Sequence, residues 1–174
     1  MNNSSNAFWK VVIYYGLITA LISMILKLIL YIADVRFYSW LHLIPILVLL
    51  GGQIWSAKVF RDIYNEGVSS FAKIFGVAIL VGLLVSLLTS GFSLALYELD
   101  SSYLTVAVRN LKEMLEEAYE MGNLSRERYQ ESLTQLSTMM KPLPIAIGLM
   151  VRYTIANIVF SLLIALFIKK EKLD

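Results

Sequence analysis

Two cations, Lys27 and Arg152, stand inside otherwise apolar stretches of the sequence, and two carboxylates, Glu98 and Asp100, stand together where another such stretch ends. A charge within a membrane span costs at least about 2.5–3.5 kcal/mol on insertion scales, so these residues ask for a partner or a function. The chemistry open to such a set is ion pairing or recognition of an anion. Lys27 lies about five residues from the end of its stretch, roughly 7–8 Å at the helical rise, within the reach of a lysine that snorkels to the interface. Arg152 lies about nine residues inside its own, roughly 13–14 Å deep, and is expected to face the bundle and pair with Glu98, Asp100 or a serine. The sharper alternative is a site for an anionic ligand or lipid headgroup, with Arg152 as its anchor and Lys27 assisting.

Little else in the chain points to a reaction. It has no cysteine, which removes disulfides, thiolate metal sites, iron–sulfur clusters and cysteine nucleophiles. The single imidazole, His42, has no Cys, Asp or Glu at ligand spacing in its own helix, and beside Trp40 it reads as interfacial. There is no HExxH, nucleophile motif or Gly-rich phosphate loop, and no carboxylate falls within the apolar spans. The expectation is a protein that is not an enzyme and has no metal or cofactor. A net charge of +2 without a broad basic patch argues against nucleic acid as a partner.

The elements that must position these residues are set by composition. The chain is 58% hydrophobic and only 16% charged, against about 45–50% and about 25% for soluble proteins. Crossing about 30 Å of hydrocarbon takes roughly 20 apolar residues in a helix. Four runs qualify, at about 8–32, 40–60, 71–97 and 143–168. The first is too long for a signal-peptide core, lacks a basic leader and has no A-x-A-like site, so it is expected to be retained. The expected fold class is all-α, a single membrane domain over 1–174 with four transmembrane helices. Lys10, Lys58, Arg61, Lys73, Lys169, Lys170 and Lys172 then crowd the span ends on one side, while Arg36, Arg109, Lys112, Arg126, Arg128 and Lys141 fall on the other. The positive-inside rule puts both termini in the cytoplasm of a bacterium, in its inner membrane.

Between the third and fourth runs lies a charged insert at about 101–141. Leu104, Val108, Leu111, Leu115 and Ala118 recur at helical spacing, as do Tyr129, Leu133, Leu136 and Met140 after a break. Gly122 and Asn123 suit a helix end, Ser125 suits an N-cap, and Leu124 with Tyr129 could staple the next helix. The pattern predicts an extracytoplasmic amphipathic helical hairpin, with Pro142 and Pro144 opening the last span. Its narrow stripes are expected to face one another, with Leu111, Leu115, Leu133 and Leu136 as the docking face should another membrane or periplasmic protein bind there. Within the spans, Ala78, Gly82, Ser86 and Ser90 recur every fourth residue, and Asn157, Ser161 and Ala165 repeat the pattern in the fourth. Such ridges let helices approach closely in lipid and are expected to pack together, or, in a minority reading, to line a polar conduit with Thr89 and Ser93.

The segments YYGLITALISMILKLILY, GVSSFAKIFGVAILVGLLVSLL, YELDSSYL and FSLLIALFIKKEK resemble a family of small four-helix membrane proteins, found mainly in Bacteroidetes, named domain of unknown function 4199. The resemblance covers nearly the whole chain and includes the Gly67, Ser70, Phe71 start of the third span. It implies a four-span inner-membrane protein and brings no activity, cofactor or catalytic residue. One departure is that Asp100 is followed by Ser101 where the family often has proline. The functional expectation is a non-enzymatic inner-membrane protein, set in the lipid bilayer, that acts through protein association as a scaffold or accessory subunit, with a partner through the hairpin or with further copies of itself. The alternative is a small oligomeric transporter or channel with a polar path near Arg152, Asn157 and the third-span serines. No internal repeat or paired Gly/Pro interruption supports a broken-helix transporter.

Overall fold

A computed structural model describes residues 2–33, 40–100 and 102–170, with the side chains of 2–5, His42 and Tyr103 excepted. Arg36, Ser101, Lys172 and the side chain of His42 therefore lie outside the described residues. Six helices follow one another: α1 (Asn2–Ile32), α2 (Ile44–Val59), α3 (Phe71–Leu99), α4 (Ser102–Glu120), α5 (Arg126–Met139) and α6 (Pro142–Ile168). A 3₁₀ turn, Trp40–Leu43, leads into α2, and a π-helical turn, Phe60–Tyr64, ends it. Four segments are long and apolar enough to cross a membrane: Asn6–Ile32, Ile44–Tyr64, Phe71–Leu99 and Pro142–Ile168. Their perimeter is apolar, with Leu21, Ile25, Leu47, Leu87, Ile155 and Leu166 among the exposed residues. A surface of that kind is at home in hydrocarbon and not in water, so this is a membrane protein.

The spans alternate in direction. The C-terminal ends of α1 and α3 come together where the Tyr31 hydroxyl donates to Asp100. The α2–α3 turn meets the far end of α6 through paired backbone hydrogen bonds between Ser69 and Lys170, at 2.8 and 3.1 Å. Gly67, with φ +80°, makes that turn possible, a conformation most side chains avoid. Arg61 then donates to the Ile168 carbonyl at 2.9 Å, satisfying one of the acceptors that α6 leaves open at its end. Lys27 and Arg152 are thereby brought toward the opposite end of the bundle, the one from which the insert departs.

The most extensive contact in the molecule is between α3 and α6. Ala78, Gly82, Ser86 and Ser90 of α3 are all buried, as are Asn157, Ser161 and Ala165 of α6. Close approach is needed at Gly82, where an added Cβ would fall on the side chains of Asn157 and Gln53. The main core gathers Leu49, Ile74, Val77, Val81, Val85 and Ile164. A smaller cluster, Tyr97, Leu104 and Ile145, ties the start of α4 to the ends of α3 and α6.

The insert folds as two helices, α4 and α5, which are in contact with each other. Leu111, Leu115, Leu133 and Leu136 are half-buried, and Tyr119 stacks on Tyr129 with centroids 4.8 Å apart. Tyr129 is thus engaged by α4. Gly122 adopts φ +74° between the helices, and the Ser125 hydroxyl accepts from the Arg128 amide at 3.4 Å as the N-cap of α5. Lys141 is the N-cap of α6, with Pro142 at its first position, where no backbone N–H is required.

Candidate anion site

Toward the insert end of the bundle lies a cavity of about 250 Å³. Its described walls are Lys27 of α1, Pro45 and Ile46 of α2, Tyr97 of α3, and Ile145, Gly148, Leu149, Arg152 and Tyr153 of α6. Two cations and two tyrosines share a pocket whose other walls are apolar, and no acid is among those residues. The volume lies just below the range of about 300–1,000 Å³ typical of small-molecule sites. It suits an anionic headgroup or a small oxyanion.

Lys27 is 6% exposed and donates to the Ser93 hydroxyl, whose own proton goes to the Thr89 carbonyl at 2.7 Å. The expectation that it snorkels is corrected: the Ser93 oxygen, across the helix interface, is a closer polar partner than the membrane surface. Arg152 departs from expectation in the other direction. It is exposed, and it forms no hydrogen bond or ion pair among the described residues. Glu98 sits exposed at the rim, while Asp100 receives the Tyr31 hydroxyl and, at 2.9 Å, the Ser102 amide. The expected pairing with these acids is not made: the ion pair found among the described residues is Arg61 with Asp62.

The electrostatic consequence is a concentration of like charge. Lys27 and Arg152 repel one another across the cavity, and described protein groups supply no compensating negative charge. Within the low-dielectric surroundings of a bilayer such repulsion is weakly screened. A guanidinium offers a fork of donors that matches a phosphate or carboxylate, and an anion held between the two groups would turn their repulsion into attraction. Arg152 is itself exposed, and its neighbours Val151 and Ile155 are exposed on the perimeter of the bundle that borders the space lipid occupies.

Beneath the cavity lies a polar knot that the sequence reading passed over. Gln53 of α2 is fully buried and donates to the Ala78 carbonyl, to Asn157 Oδ1 and to the Ser161 hydroxyl, the first and last at 3.0 Å. Asn157 in turn donates to the Ile79 carbonyl at 3.1 Å. Tyr97 and Tyr153 were missed as well. A lone amide in an apolar run and tyrosines within a turn of Glu98 and Arg152 were the available signals. No group of three or more His, Cys, Asp or Glu able to hold a metal occurs among the described residues.

Residues 14–170 match the family described as Protein of unknown function (DUF4199). The chain belongs to DUF4199. The match takes in the first membrane helix of this DUF4199 protein from residue 14, the other three spans whole and the insert, so cavity, knot and insert all fall within it. No curated protein and no solved structure matches the chain.

Proposed function

We propose that this DUF4199 protein recognises an anionic headgroup of the phosphate type within the membrane, as a non-enzymatic binding protein of the bacterial inner membrane. The observation that carries the reading is Arg152, an arginine deep in a span with no acidic partner among the described residues, placed with buried Lys27 on one apolar-walled cavity. Basic pockets between membrane helices suit lipid headgroups, and the exposure of Arg152 beside the perimeter residues Val151 and Ile155 favours a lipid. With both termini cytoplasmic, the cavity and the α4–α5 hairpin lie on the extracytoplasmic side and the headgroup comes from the outer leaflet.

The test is native mass spectrometry of delipidated protein with phosphatidylglycerol, phosphatidylcholine and inorganic phosphate as separate probes. Phosphatidylglycerol should bind best, and Arg152→Gln should weaken it by about 10- to 100-fold, the worth of one charged hydrogen bond of about 1.5–3 kcal/mol. Gly148→Leu should do the same by filling the cavity, because a Cβ at Gly148 meets nothing within 4 Å and the fold is spared. Phosphate binding as well as the lipid would make the ligand a free oxyanion. Equal binding by the native chain and both variants would overturn the proposal.

A further inference from the structure

Among the described residues, four buried side-chain atoms have no hydrogen-bond partner: Ser23 Oγ, Thr89 Oγ1, Ser90 Oγ and Gln53 Oε1. Each belongs to a residue no more than 4% exposed. Hydroxyls in helices ordinarily satisfy themselves on a carbonyl one turn back, as Thr19 does on Tyr15, Ser86 on Gly82 and Ser93 on Thr89, each at 2.7 Å. Ser23, Thr89 and Ser90 leave that option unused.

Their placement is not scattered. The Lys27–Ser93 hydrogen bond fixes the register of α1 against α3, two helices that run in the same direction. One turn inward, that register sets Ser23 opposite Thr89 and Ser90. Further inward come Thr19 and Ser86, and then Gln53, which bonds α3 beside Gly82. From Ser93 to Gly82 is eleven residues of α3, about 16 Å. Beyond the knot the Ser56 hydroxyl is spent on the Gln53 carbonyl at 3.0 Å, and past it come the buried apolar side chains Phe60, Ile74, Val77, Ile164 and Ile168.

We infer that the cavity continues inward as an aqueous half-channel, a file of water running from Lys27 past Ser23, Thr89 and Ser90 to Gln53, open at the insert end and closed by that apolar plug. Buried water takes two to four polar partners, and the unused hydroxyls and the Gln53 carbonyl oxygen supply them where no protein group does. The inference shares the cavity mouth with the proposed function and does not depend on which anion binds there. A half-channel of this kind gives water and small solutes access to mid-membrane depth from one side.

The absence of native cysteine makes the test clean. Ser23→Cys, Thr89→Cys and Ser90→Cys, each in full-length protein in nanodiscs, are transferred to D2O, and conversion of S–H to S–D is followed by infrared spectroscopy. Val77→Cys, in the plug, is the dry reference. The lane thiols should exchange at least about tenfold faster than the plug thiol, which waits for local opening of the bundle. Exchange no faster than at Val77→Cys would overturn the half-channel. In the unsubstituted chain, solid-state NMR should show magnetisation passing from water to the Gln53 side-chain amide, and absence of that transfer would overturn it equally. Headgroup binding is unaffected by either result, so the two readings fail separately.

Discussion

Lys27 and Arg152 were the most legible residues in the chain, because a charge in an apolar run announces itself in any membrane sequence. What the sequence could not supply was their partners. Lys27 bonds Ser93, sixty-six positions away, a contact decided by how α1 lies on α3, and Arg152 lines the cavity without an ion pair among the described residues. Asp100 offers a separate test at this scale. Hydrogen bonds from the Ser102 side chain, then from Tyr31, then from the Ser102 backbone hold its carboxyl below the ordinary 3.8. A depressed folded value means the contact is fully present above the unfolded value and is lost as pH falls below it through the folded value. The Ser102 amide resonance should therefore titrate below pH 3.8, and Asp100→Asn should remove that step; a step at or above 3.8 would show that these hydrogen bonds do not form.

At the scale of elements, apolar run length placed all four spans to within a few residues, and the i, i+3, i+4 stripes placed α4 and α5. The π-helical turn at Phe60–Tyr64 left no sequence signal, since it arises where α2 meets the α2–α3 turn and the end of α6. Gln53 went unremarked for a related reason: an amide in a span is unremarkable until Asn157 and Ser161 are seen to converge on it from α6. The α3–α6 seam depends on closeness at Gly82, so Gly82→Ala should destabilise the protein by about 1–3 kcal/mol through overpacking against Asn157 and Gln53. Thermal unfolding in detergent would register this as a lower Tm, and an unchanged Tm would mean the helices do not approach as described. Gly122→Ala, at φ +74°, should cost about 1–2 kcal/mol and be confined to the α4–α5 junction. Faster hydrogen exchange there, with the spans unaffected, is the expected outcome.

Taken whole, the molecule is an apolar cylinder with a polar interior that is uneven along its length. The end that holds the α2–α3 turn is tied together by the Ser69–Lys170 backbone bonds and by Arg61 on the Ile168 carbonyl, while the insert end carries a cavity with two cations and no compensating acid among its described walls. Composition foretold the cylinder; the asymmetry needed the packing of all four spans at once. The cavity accounts for the buried charge of the bundle only if an anion completes it, and in a bilayer the nearest abundant anion is a lipid headgroup. The most direct test is the distance between arginine guanidinium ¹⁵N and lipid ³¹P, measured by solid-state NMR dephasing in bilayers containing phosphatidylglycerol, in the native chain and in Arg152→Gln. The account predicts strong dephasing that disappears with Arg152; dephasing that is identical in the two proteins would contradict it.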